Sequence, residues 1–415
     1  MQENPYDGSN NNPKIEKRSN PMAEFRCNWV RLAWLTVFRP VLFCTTMLAV
    51  MKIAAGEPDF LVLPPTIYAV PGIETNVYFA NIALAVNPAN YVYEVDCAKG
   101  RLDQKRWRFI PGAGDAGIYP WKIRIYDANN HLAAQGETTL VVGTGKTNAQ
   151  SAISVLLVGD SHTYMGVYPR RLSTLLGPPA TSHVRFIGSH NGEGTIPQEG
   201  YGGWTWETFL TRWTEEHDYR AKSKFLTEKN GRPVLDFKAY CDRYNHGLPP
   251  EVITVMLGSN DIADADESQI EAVIKKVLVH MDQLLSEFHR VAPNAVIGVA
   301  LPPPPAATQD AFGANYQCKI KRWQFRCNQQ RLVGAMVRHL AVSGYGRQVS
   351  VIPVYLNLDT ENNFPVREEN INLDNPRLIL RQNNALHPAD AGYNQIGDTF
   401  YCWWENTIFN RTAAK

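Results

Sequence analysis

The stretch LLVGDSHTYMGVYPRRL, Leu156 to Leu172, decides how the chain is read. An apolar run of the kind found in a strand buried on both faces stops abruptly at Gly159, Asp160, Ser161 and His162. The chain then turns amphipathic. Such a junction is either an ordinary strand-to-helix turn, with serine as a helix N-cap, or a turn that holds a nucleophile at the edge of a sheet.

The flanking sequence gives the junction a context. SVLLVG (154–159), VRFIG (184–188), EVITVML (251–257), AVIGVAL (295–301) and SVIPVY (350–355) are continuous apolar runs, as expected of parallel strands covered on both sides. Helix-period segments lie between them. The clearest spans about 267–291, where Ile270, Val273, Ile274, Val277, Leu278, Met281, Leu284, Leu285 and Phe288 share one stripe and Asp264 or Asp266 can cap it. The alternation predicts a three-layer α/β/α domain with a parallel sheet over residues 152–410. Residues 58–143 read differently. TNVYFANI, NYVYEVDC, RWRFIPG, YPWKIRIYD and AAQGETTLVVG are short β-branched and aromatic runs separated by turn residues, which predicts a small all-β, Ig-like sandwich. Residues 144–151 read as a linker. GTGKT at 143–147 lacks the leading glycine of a phosphate loop.

The amino terminus predicts export. Residues 1–28 are rich in Asn, Pro and charge and are expected to be disordered. With Met22 as an alternative start, Arg26, Arg31 and Arg39 precede an apolar run from Val41 to Met51, and Ala54, Ala55 and Gly56 follow it, which marks 29–56 as a leader segment. That is a signal-peptide pattern, or an uncleaved signal anchor, so the protein is expected to be periplasmic or secreted, or membrane-anchored through this segment. Of seven cysteines, Cys27 and Cys44 lie in the amino-terminal region. Cys97, Cys241, Cys318, Cys327 and Cys402 remain, an odd count in which Cys318 and Cys327 are the pair closest in sequence. No CxxC or HExxH occurs, so no metal or other cofactor is predicted. Across the 415 residues, 44% hydrophobic and 20% charged, the net charge is only +1 with no long basic run, which argues against nucleic acid as a partner.

In an open parallel sheet, functional groups gather where strands meet their following loops. The first strand delivers Gly159-Asp160-Ser161-His162. EGYGGWTWETF follows the second, VITVML delivers Gly258-Ser259-Asn260-Asp261, and NNALHPADAGYNQIGD brings His387 to the start of a helix. These pieces, in this order, resemble the SGNH/GDSL hydrolase family, over residues 154 to about 408. QDAFGANYQCKIKRWQFRCNQQRL is also similar to its exported bacterial members. The resemblance implies that Ser161 is the nucleophile and His387 its base. It implies an oxyanion hole made by the Ser161 N–H, the Gly203 N–H and the Asn260 side chain, with Gly202 replacing Gly203 if the register slips by one. Read alone, Ser161 is a helix cap, Asn260 a turn residue and His-Pro a helix start. Asp160 and Asp261 are expected to tie loops together.

One departure stands out. The family's acid falls at Asn384, which can orient an imidazole but cannot offset the charge it gains. Three outcomes follow: a Ser–His dyad, a substitute carboxylate such as Asp374 or Asp390, or binding without turnover. Trp204, Trp206 and Trp213 either stack on sugar rings beside the cleft or pack a helix onto the sheet. His162 is a further candidate near the substrate. Exported relatives with an added sandwich resemble carbohydrate esterases. The expected activity is therefore a serine esterase that removes O-acyl, chiefly O-acetyl, groups from an acylated carbohydrate or another small ester. The alternatives are a lipase or lysophospholipase-type esterase and a catalytically silent glycan-binding protein. A membrane tether is expected only if the leader stays attached.

Overall fold

Short runs of β-branched and aromatic residues make seven strands before residue 145: β1 (Thr66–Ala69), β2 (Thr75–Tyr78), β3 (Val92–Asp96), β4 (Arg101–Leu102), β5 (Arg106–Phe109), β6 (Gly117–Tyr126) and β7 (Leu132–Val142). They form two sheets, β1-β7-β6-β3 and β2-β5-β4, antiparallel except where β1 runs parallel to β7. In β6, Trp121, Ile123 and Ile125 point inward while Lys122 and Arg124 point to solvent, the period-two pattern of a half-buried strand. Trp107 of β5 meets Trp121 edge-on, with centroids 6.1 Å apart at 82°, so the two sheets share one core.

This computed structural model describes residues 60–145, 152–178, 183–216 and 218–409. The expected extension (1–28), the leader (29–56) and residues 146–151 of the expected linker lie outside these. Among the described residues no helix is long and apolar enough to cross a membrane.

From residue 152 onward come β8 (Ile153–Gly159), β9 (Val184–Ile187), β10 (Glu199–Gly200), a hairpin of β11 (Leu226–Lys229) and β12 (Arg232–Leu235), β13 (Val252–Met256), β14 (Val296–Ala300) and β15 (Val349–Ile352). The sheet order is β10-β8-β13-β14-β15, with β9 beside the first half of β8, and every pairing is parallel. Alternate residues serve opposite cores, which is why the strands read as unbroken apolar runs. Leu156, Val158, Ile253 and Val255 pack with the long helices Ile270–Val291 and Arg322–Val342. Val155, Leu157, Val252 and Met256 pack with helices Val167–Leu176 and Asp390–Trp404. This is the α/β/α arrangement expected from the sequence.

The predicted helix near 267 begins at Ile270. Asp266 shapes the turn before it: its carboxylate accepts the N–H groups of Ser268 (2.8 Å) and Gln269 (3.1 Å), and its carbonyl accepts that of Ile270 (3.0 Å). A hairpin that the sequence did not reveal, β16 (Val366–Asn372) and β17 (Asn375–Gln382), runs directly into the His387 loop and leaves Leu373, Leu378 and Leu380 exposed. The five described cysteines, including Cys318 and Cys327, are free thiols.

The sandwich is joined to the α/β layers by buried polar contacts. Asn76 donates from its backbone and side chain to Asn357 Oδ1, both at 2.9 Å, and Asn81 Nδ2 donates to the carbonyls of Tyr355 (2.9 Å) and Leu358 (2.8 Å). Arg326, only 6% exposed, donates through Nη2 to the carbonyls of Ala80 (2.8 Å) and Asn81 (3.0 Å), and through Nη1 to Gln329 and Gln330 (2.8 Å each). Burial lowers its pKa to about 10, so the guanidinium stays charged, held by neutral oxygen acceptors.

Candidate active site

The sheet supplies the place. β8 is flanked by β9 and β10 on one side and β13 on the other, so the chain order reverses around it, and loops leaving β8 and β13 diverge over the carboxyl ends of the strands. At the end of β8 the backbone must turn sharply. A Cβ on Gly159 would sit 2.0 Å from Thr163 Oγ1, so only glycine allows the short helix Ser161–Tyr164 to fold back against the strand. That turn raises the Ser161 hydroxyl. His387, on the loop that precedes helix Asp390–Trp404 and not on the helix itself, places Nε2 at 2.8 Å from Ser161 Oγ. The two residues are 226 positions apart in the chain.

His387 is tuned toward the neutral form. Burial and then the charge of His162 lower its pKa to about 4, with Asp160 opposing in part. Asn384 does not contact the ring. Its Oδ1 accepts the backbone N–H groups of Leu386 (3.2 Å) and His387 (2.9 Å), so it shapes the loop rather than the imidazole. Asp374, beside the tip of the β16–β17 hairpin, and Asp390, at the start of the last helix, make no hydrogen bond to His387 either. Among the described residues Nδ1 of His387 has no hydrogen-bond partner.

The expected place of His162 beside the substrate needs correction. The residue is 2% exposed, and both ring nitrogens are engaged: Nδ1 with Asp160 Oδ1 and Nε2 with the Leu386 carbonyl, each at 2.9 Å. Both partners are acceptors, so both nitrogens carry hydrogen and the ring is an imidazolium paired with the Asp160 carboxylate. Burial opposes this charge, but the field and hydrogen bond of Asp160 prevail and the pKa is raised. The pair bolts the Ser161 turn to the His387 loop. The spacing of Asp160 and His162 in sequence was visible, but their partner at Leu386 was not.

The expected oxyanion donors are the N–H groups of Ser161 and Gly203 and the side chain of Asn260. Gly203 adopts φ +81°, a left-handed conformation that disfavours other residues, and a Cβ there would meet nothing within 4 Å, as would one on Gly202. The N–H groups of Ser161 and Gly203 make no hydrogen bond among the described residues. Asn260 Nδ2 donates to the Trp204 carbonyl at 3.0 Å and reaches Asp160 Oδ2 only at 3.4 Å. The glycine block is fixed from behind by Glu199, a buried carboxylate that accepts from Ser189, Tyr201 and Tyr240. Asp261 accepts the Trp206 N–H at 3.3 Å. Burial, with Asp160 adding repulsion, raises its pKa to about 7.

Trp204 and Trp206, the candidate stacking platform, are also corrected. They are 3% and 0% exposed, and Trp204 lies 4.0 Å from Tyr201 in a stack, so neither offers a face to a sugar. Trp213 is half-buried beneath Lys222, whose Nζ lies 4.4 Å from the ring centroid. The accessible aromatic surface comes from Tyr219, 40% exposed and stacked on Tyr164 at 5.2 Å. Tyr164 lies one turn after Ser161, which is a signal the sequence carried unread.

Residues 155–400 match the family model described as GDSL-like lipase/acylhydrolase. No curated protein matches the chain in sequence. Among solved structures, the chain is similar to a family 3 carbohydrate esterase from Clostridium thermocellum, at 19% identity and a TM-score of 0.38, covering 63% of this chain and 100% of that one. It is also similar to a carbohydrate esterase family 3 protein from Talaromyces cellulolyticus, at 14% identity and a TM-score of 0.34, covering 62% and 99%. A third similar structure, described as a possible lipase from Chitinophaga pinensis, has 16% identity and a TM-score of 0.36, covering 61% and 98%.

Proposed function

The chain belongs to the GDSL-like lipase/acylhydrolase family, and from that premise we propose that this carboxylic ester hydrolase removes O-acetyl groups from carbohydrate through a Ser161–His387 dyad. The 2.8 Å contact between Ser161 Oγ and His387 Nε2 carries the reading. His387 takes the serine proton as Oγ attacks the ester carbonyl. The oxyanion is received by the N–H groups of Ser161 and Gly203 and by Asn260, whose long contact to Asp160 is the one it releases. Collapse of the intermediate expels the sugar alcohol, which leaves with the proton from His387. Water, deprotonated by the same ring, then hydrolyses the acyl-enzyme to acetate and free Ser161.

Without a carboxylate on Nδ1, His387 works as a base of low pKa. It must be neutral to accept the proton, so activity is present above its pKa and lost as pH falls through it. The acid limb of kcat/KM is expected near pH 4, well below the 6.5 or so of an unperturbed histidine. A limb at 6–7 would show that the ring is not held as described.

The carbohydrate reading rests on the Tyr219 and Tyr164 ring faces beside the nucleophile turn and on the open space over Gly202 and Gly203. A second reading, hydrolysis of long-chain esters, is favoured by the exposed leucines of the β16–β17 hairpin. Acetate release from acetylated xylan or pectin, measured against hydrolysis of p-nitrophenyl palmitate, separates them. The acetylated polysaccharide is expected to be the better substrate, and a preference for palmitate would overturn the carbohydrate reading.

A further inference from the structure

A pocket of about 220 Å³ opens on the sandwich side, between residues 78–105 and the loop Asp359–Asn362. None of the residues assigned to the reaction lines it. Its apolar lining includes the half-buried ring of Tyr93, backed by the fully buried Phe79 with centroids 4.5 Å apart, and the half-buried Tyr91, whose ring tilts against Phe60 at 5.5 Å. Among these rings sits an unanswered polar group: the Tyr93 hydroxyl is buried and has no hydrogen-bond partner among the described residues. A buried hydroxyl left unpaired is unfavourable, and a ligand able to bond it would recover that cost.

The rim is polar but nearly charge-balanced. Lys105 pairs with Glu361, and Asp359 accepts the Tyr78 hydroxyl, which in turn accepts from Arg106. Gln104, which also lines the pocket, is exposed, and its side-chain amide has no partner among the described residues. Flat aromatic surface, an orphan hydroxyl and a free amide, with no excess of positive charge, suit a ligand with an apolar face and several neutral hydroxyls. They do not suit a uronate or a phosphate.

From this we infer that the pocket between the sandwich and the Asp359–Asn362 loop binds a neutral sugar unit, at a site separate from Ser161. The loop links the site to the chemistry. Gln382 Nε2 donates to the carbonyls of Thr360 (2.8 Å) and Glu361 (2.9 Å), and Ala389 N–H to that of Asn363 (2.9 Å), so the pocket wall and the His387 loop are hydrogen-bonded neighbours. A polysaccharide held here would be kept close to the nucleophile. That last step rests on the carbohydrate reading, whereas sugar binding itself does not.

Calorimetric titration of the full chain carrying Ser161→Ala, with unacetylated xylohexaose and cellohexaose as probes and polygalacturonate as the charged comparator, tests the inference without turnover. One of the neutral oligosaccharides is expected to bind, with Kd raised about tenfold by Gln104→Ala and about fivefold by Tyr93→Phe. Neither change removes packed carbon: the thermal melt of Gln104→Ala is expected to match that of the parent, and that of Tyr93→Phe to match or exceed it, because the unpaired hydroxyl is gone. Failure of both neutral probes to bind, unchanged Kd in both variants, or tighter binding of polygalacturonate would each overturn the assignment. A failure here leaves acetate release by the native enzyme intact, so the two readings fall separately.

Discussion

Ser161→Ala is expected to lower ester turnover by about 10⁴-fold or more while leaving the fold in place. Among the described residues, the only side-chain hydrogen bond of Ser161 is to His387, and its neighbours are fixed by other groups: Asp160 by the His162 ring and backbone, and the glycine block by Glu199. Alanine therefore removes the nucleophile without unmaking the turn. A fluorophosphonate probe should label the native protein and not the variant, and a variant that still labels would place the nucleophile elsewhere. Absence of label on both would favour a binding protein that has kept the architecture of a hydrolase. Changing His387 as well should cost little more, because the two groups act in one step and their losses do not add.

Asn260→Ala is the second large effect. Loss of one preorganised donor to an oxyanion typically costs about 2.7–4 kcal/mol, or 10²–10³ in kcat, with KM little changed because the charge exists only in the transition state. Asn260 also holds the Trp204 carbonyl at 3.0 Å, so some loss of stability will accompany the change. The two contributions separate cleanly. A structural effect appears in the thermal melt and in KM, whereas a missing donor appears in kcat. An unchanged kcat would leave Ser161 and Gly203 as the only oxyanion donors.

Much of this architecture could be read from the chain, for a local reason. A parallel strand covered on both sides must be apolar at successive positions, so β8, β13 and β14 announce themselves, and the groups at their ends follow at fixed distance in sequence. Ser161 and Asn260 stand just beyond such strands, whereas His387 does not, and the roles expected of all three came from the order of the blocks, which resembles a known family. What escaped depends on partners far off in the chain. Whether Trp204 faces a substrate or a neighbour is decided by the ring of Tyr201 against it. The role of His162 is decided by a carbonyl 224 positions away. The hairpin Val366–Gln382 was missed because it stands out from the core and carries mostly polar residues, with no one-sided pattern to betray it. The ties made by Asn76, Asn81 and Arg326 are single polar residues whose value appears only when a distant carbonyl is placed opposite.

Arg326 has a practical implication. Its guanidinium is kept in the interior by four oxygens, and two of them, the carbonyls of Ala80 and Asn81, come from the strand-rich half. Trimming that half away would strand a cation beside a suddenly open apolar wall. An engineer wanting a shorter enzyme should keep both halves, or replace this arginine and resurface the helix beneath it first.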